Sequence, residues 1–106
     1  MECIFCKIVE KKAPAEIIYE DNKVIAFKDI EPRARLHFLV IPKKHIPSLD
    51  CLKDEDKDLI GELFLVVKKI AKEKKLSGYK VLINVGNEQI IGHLHLNLLS
   101  GGPMKL

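Results

Sequence analysis

Aromatic side chains are scarce in this chain: its 106 residues hold four phenylalanines, two tyrosines and no tryptophan. Its net charge of +3, from 18 basic and 15 acidic residues, comes from lysines spread over several segments. A surface that reads nucleic acid needs clustered cations and rings for bases to stack on, so no nucleic-acid partner is expected, only mild attraction to small anions. Long apolar runs are missing as well. The longest, Leu63 to Val67, falls far short of the ~20 residues that span a bilayer, so no membrane partner is expected. The opening residues, Met1-Glu2-Cys3-Ile4, lack the basic and apolar regions of an export signal, which points to the cytoplasm. Cysteine is sparse and odd in number. Three thiols without an export signal argue against a disulfide framework and leave free thiols or metal ligands.

What is present suits one globular domain over residues 1–106, with 47% hydrophobic and 31% charged residues and no repeat, linker or low-complexity tract. Residues 4–9 read as a short helix, ended before Ala13-Pro14 because the residue preceding a proline disfavours the α region. Short apolar or β-branched runs at 17–20 and 24–28, joined across Glu20-Asp21-Asn22, read as a hairpin. A third strand covers 36–41 and stops at Pro42. From 54 to 75 apolar residues fall at 59, 60, 63, 66, 67 and 70, which is helical spacing. Acidic residues 54–56 suit the positive end of that helix, and Lys72, Lys74 and Lys75 suit the other. Its Leu63–Val67 stretch is apolar all round and needs a second buried surface. Strands at 79–85 and 93–99 come next, separated by a loop from Gly86 to Gly92. The class is α+β.

Chemistry concentrates in Gly92-His93-Leu94-His95-Leu96-Asn97-Leu98-Leu99. In a strand, a period of two sends His93, His95 and Asn97 to one face, with neighbours ~6.5 Å apart, and the leucines to the other. Three polar side chains in a row can converge on a ligand the size of a phosphate. An isolated His-x-His is more often a half-exposed strand, but the chain has only four histidines: two here, and two, His37 and His45, flanking the third strand.

These segments together resemble the histidine triad family. His93-Leu-His-Leu-Asn-Leu-Leu is similar to the family's alternating-histidine signature, and Ser100-Gly101-Gly102 is similar to the residues usually found directly after that signature. His37-Phe-Leu-Val-Ile-Pro-Lys-Lys-His45, Glu16–Asp21, Ile25–Ile30 and Val81–Asn84 match in the family's order, so the likeness covers nearly the whole chain. It is most similar to the adenosine 5′-monophosphoramidase branch. The resemblance implies a five-stranded antiparallel sheet with one long and one short N-terminal helix, paired into a homodimer that binds a purine nucleotide. It gives His95 the role of nucleophile on the α-phosphorus, making a nucleotidyl-histidine that water hydrolyses. His93 and Asn97 complete the catalytic motif. Asp29 matches the position that holds the ribose hydroxyls and Asn84 one that meets a phosphate oxygen, while Ile4, Phe5, Ile8, Phe27 and Ile30 match the base pocket; Gln89 is grouped with this nucleotide-binding set.

Asn97 stands where the family usually has a third histidine. Its amide donates a hydrogen bond but supplies no proton near neutral pH, so conjugates with basic leaving groups are expected to react slowly. Ile90 stands where a serine is expected near the leaving group. An alternative class is a nucleotide-binding or protein-interaction module that has lost turnover. Cys3-x-x-Cys6 has the spacing of half a tetrahedral zinc site, and His45 and His93 resemble the remaining ligands in relatives that keep the paired cysteines. The competing reading is two buried cysteines on a short helix.

Overall fold

The computed structural model describes residues 3–102 of the chain. Its elements are α1 (Ile4–Val9), β1 (Ile17–Glu20), β2 (Val24–Lys28), β3 (Leu36–Pro42), α2 (Lys57–Glu73), β4 (Lys80–Leu82) and β5 (Leu96–Ser100), with short 3-10 turns at Leu49–Cys51, Asp54–Asp56 and Gly86–Glu88. The strands form one antiparallel sheet in the order β1-β2-β3-β5-β4, so the chain is α+β, with the expected five strands, long helix and short helix.

Local chemistry shapes the ends of these elements. Between β1 and β2, Asp21 Oδ1 accepts the backbone N–H groups of Lys23 and Val24, both at 2.8 Å, which reverses the chain. Asp56 Oδ2 likewise accepts the Lys53 N–H at 3.0 Å, so the acidic run forms a 3-10 turn and the α-helix proper starts at Lys57, not at 54. The strand expected over 79–85 is cut to three residues, because β5 offers no partner before Leu96 and pairing ends at Leu82 with Asn97. The strand expected over 93–99 starts later for a related reason: the Leu94 N–H turns to the Ile46 carbonyl at 2.7 Å instead of joining the ladder.

The sheet is packed on both faces. Val24, Ala26, Phe38, Val40, Leu96 and Leu98 meet Leu63, Val66, Val67 and Ile70 of α2, while Ile25, Phe27, Leu39 and Ile41 on the opposite face meet Phe5 and Ile8 of α1. Burial on both faces explains why Val24 to Phe27 is apolar without alternation. The apolar stretch of α2 divides: Leu63, Val66 and Val67 face the sheet, whereas Phe64 and Leu65 stay 50% and 55% exposed. No helix among the described residues is long and apolar enough to cross a membrane.

Leu63 is wholly buried where α2 crosses the sheet. Leu63→Ala is therefore expected to lower unfolding free energy by about 2–5 kcal/mol in urea titration, through lost transfer energy and the cavity left behind.

Candidate active site and metal centre

Strand register builds the site. Phe27 lies opposite Leu39 and Leu39 opposite Asn97, so these three line up across the face that α2 leaves uncovered. Because α1 covers only part of that face, a cavity of about 640 Å³ remains beside it. Its walls include Phe5, Ile8, Phe27, Asp29, His95 and Asn97, with Ile4, Ile30, Arg33 and Ile90 also lining it. A mostly apolar cleft of this size with a few converging polar groups suits a small organic ligand.

His95 presents one nitrogen and spends the other. Its Nδ1 lies 2.7 Å from the His93 carbonyl, and its ring sits edge-on to Phe5 with centroids 5.3 Å apart. A carbonyl only accepts, so Nδ1 carries the proton and Nε2 keeps its lone pair. Burial lowers the pKa of His95 below its ordinary value; the hydrogen bond to His93 and the charge of Asp29 pull the other way without reversing it. The net shift favours the neutral ring, with Nε2 unprotonated.

Asn97 and His37 form a buried polar pair next to it. His37 Nε2 lies 2.8 Å from Asn97 Oδ1, and Asn97 Nδ2 donates to the Leu82 carbonyl at 3.1 Å. Asn97 is 2% exposed, on a strand flanked by β3 on one side and β4 on the other.

His93 faces elsewhere. Its Nε2 donates to the Pro42 carbonyl at 2.8 Å, leaving Nδ1 with a lone pair 3.5 Å from Cys3 Sγ and 3.6 Å from Cys6 Sγ. His45 Nδ1 lies 3.2 Å from Cys6 Sγ, and its Nε2 is buried without a hydrogen bond among the described residues, so Nδ1 is the side by which this ring is held. The donor atoms of Cys3, Cys6, His45 and His93 all lie within 4.8 Å of one another. In a tetrahedral zinc site, bond lengths of about 2.3 Å to sulfur and about 2.0 Å to nitrogen put S and N ligands about 3.5 Å apart. The donor set and its spacing fit such an ion. Without a cation, burial and the neighbouring Cys3 push the Cys6 thiol up to about 11.

The structure thus separates the motif into two jobs: His95 and Asn97 line the cavity, and His93 lies behind them among the thiols. Asp29 lines the cavity too, its Oδ1 accepting the Glu31 N–H at 2.8 Å, and Ile30 is 90% exposed at the same loop. Asn84 is half-buried beyond β4 and lies outside the cavity lining. Gln89 also lies outside: its amide bonds to the Gly86 N–H and to the Pro47 and Ile91 carbonyls and shapes its own loop. Sequence reasoning missed His37. The available signal was its separation by two residues from Leu39, which puts it on the site face once β3 is paired with β5.

The chain matches, over residues 2–103, the family model DcpS_C, described as scavenger mRNA decapping enzyme C-term binding. It is 46% identical over 105 residues to Protein HitA of Neisseria gonorrhoeae, covering 96% of this chain and 97% of that protein. Among solved structures, it resembles a HIT family hydrolase from Legionella pneumophila Philadelphia 1, with a TM-score of 0.93, 40% identity and coverage of 98% of this chain and 96% of that one. It also resembles a Zn-bound histidine triad family protein from Mycobacterium smegmatis, with a TM-score of 0.81, 34% identity and coverage of 96% and 76%.

Proposed function

The chain belongs to the histidine triad family, and from that premise we propose that it hydrolyses nucleoside 5′-monophosphate conjugates, phosphoramidates of the AMP-amine kind, through a nucleotidyl-His95 intermediate. The observation that carries this reading is the bare Nε2 of His95, kept free by the 2.7 Å bond from Nδ1 to the His93 carbonyl, in a cavity that suits a nucleotide. Ile4, Phe5, Ile8, Phe27 and Ile30 supply apolar walls for a purine, and the Asp29 carboxylate accepts the ribose hydroxyls. The reading does not require Asn84 or Gln89.

In the first step Nε2 attacks the α-phosphorus, a P–N bond to His95 forms, and the bond to the leaving amine breaks with its electron pair going to the amine, which takes a proton from water. In the second, water attacks the same phosphorus, the electron pair of the P–His95 bond returns to Nε2, and the proton lost by water passes to solvent. Dividing one displacement into two is the gain of covalent catalysis. Asn97 has no titratable proton to give the amine, so weakly basic leaving groups depart fastest.

We also propose that zinc occupies the Cys3, Cys6, His45, His93 cluster, a reading supported by the donor spacing and by the likeness to the Zn-bound relative. Zinc there would be structural, neutralising two thiolates and tying α1 to the segments after β3 and before β5. His93 would thereby be held still, and with it the carbonyl that orients His95. The proposed assembly is a homodimer. Edge strand β4 needs a partner, and the exposed side chains of Phe64 and Leu65 on α2, Val81 on β4 and Tyr79 just before it are what a second copy would cover.

Mass spectrometry of protein quenched without acid during turnover of an adenosine phosphoramidate should show the nucleotidyl adduct on His95. His95→Ala should lose both the adduct and on the order of 10³-fold or more in kcat/KM. A stable adduct on another residue contradicts the assignment, and binding without turnover supports the interaction-module alternative. Elemental analysis of protein purified without chelator should find one zinc per chain, sharply reduced in Cys3→Ser; unchanged occupancy in that variant sinks the zinc reading. Light scattering at micromolar concentration should give about twice the 12.0 kDa chain mass, whereas a monomer rules the dimer out.

A further inference from the structure

We infer that His37 is a positioning residue that holds the Asn97 amide in one orientation, as a hydrogen-bond donor to the phosphate end of the cavity; the inference rests on the function proposed above. Four groups form a chain. The backbone N–H of Arg33 donates to His37 Nδ1 at 3.1 Å, His37 Nε2 meets Asn97 Oδ1 at 2.8 Å, and Asn97 Nδ2 donates to the Leu82 carbonyl at 3.1 Å. Its two ends are backbone groups with a single polarity. Arg33 N–H can only donate, so Nδ1 is bare and Nε2 carries the proton; the Leu82 carbonyl can only accept, so it faces Nδ2 and leaves Oδ1 for His37.

Turning the amide over would set Nδ2 against the Nε2–H and Oδ1 against the Leu82 carbonyl, exchanging two good hydrogen bonds for two clashes of like polarity. Water cannot repair them, because His37 is 3% exposed and Asn97 2%. The next acceptor near Nε2 is Asp29 Oδ2, at 3.4 Å. An amide nitrogen carries two hydrogens and Leu82 takes one. The other is available to the cavity that Asn97 lines beside His95, where it offers a donor to a phosphoryl oxygen. A free amide could turn a lone pair toward the same oxygen and repel it. The chain also joins the loop that bears Asp29 and Arg33 to the strand that bears the catalytic motif.

The test is AMP binding by calorimetry to the full chain, together with hydrogen exchange of the Asn97 side-chain amide monitored by NMR. His37→Phe keeps the ring volume and removes both nitrogens, and should weaken AMP binding about tenfold or more, the scale of a lost hydrogen bond to a charged group. His37→Gln restores an N–H where Nε2 stood and should return affinity to within about threefold of wild type. In an Asn97→Ala background, His37→Phe should cost no more than about twofold, because the group it positions is gone. In the free protein, His37→Phe should speed exchange of the Asn97 amide while the backbone spectrum stays folded. Additive losses, no rescue by Gln, or unchanged amide exchange would overturn the inference. Should His37→Phe fail to fold, His37→Gln must exceed His37→Asn, which is too short to reach Asn97, in both affinity and amide protection. Wild-type protein that ignores AMP would overturn the proposed function instead, and amide exchange alone would then decide whether His37 positions Asn97.

Discussion

The 2.7 Å hydrogen bond from His95 Nδ1 to the His93 carbonyl is the contact on which the rest of the site depends. Imidazole has two nitrogens of nearly equal basicity, and a nucleophile is useful only if the bare one faces the electrophile. A carbonyl two residues back, just before β5 begins, decides the matter without a charged partner. That backbone is itself pinned, by the Leu94 N–H on the Ile46 carbonyl at 2.7 Å, by the His93 Nε2–H on the Pro42 carbonyl at 2.8 Å and by a Leu94 side chain that is 1% exposed. Main-chain groups are well suited to the task. They have fixed polarity, do not titrate and move only if the sheet moves.

The division of labour across the sheet comes from the same geometry. Leucines 94, 96 and 98 lie in the α2-facing core, so the alternate residues of β5 and its approach must face the other way, toward the cavity and the thiols. The core therefore aims the chemistry. A change that slips β5 by one residue against β3 would exchange the two sets, burying His95 and Asn97 under α2. His93 links the two polar regions: its ring faces the Cys3 and Cys6 sulfurs while its carbonyl holds His95. Order at the cluster is thereby passed to His95 through one residue.

Much of this architecture is legible in the sequence where periodicity operates. The spacing of residues 59 to 70 marks α2, the alternation at 93–99 marks the leucine face, and Asp21 marks the first turn. The family resemblance brings Cys3, Cys6, His45 and His93 together, and these four do converge, because the residues before β5 double back past the end of β3. Strand order is not legible, since placing β5 between β3 and β4 is a matter of long-range pairing. For the same reason the burial of Asn97 and its bond to His37, 60 residues away in sequence, are out of reach. Asn84 and Gln89 fall outside the cavity because loop backbone geometry, which local pattern does not encode, carries them past it.

The central claim is that backbone groups assign every proton in the site, and it is tested most directly by neutron diffraction from deuterium-exchanged crystals grown near pH 7.5. The account predicts density for deuterium on Nδ1 of His95 with none on its Nε2, and on Nε2 of both His93 and His37 with none on their Nδ1. Deuterium on Nε2 of His95 would contradict it, because the ring would then present a donor, not a lone pair, to the cavity.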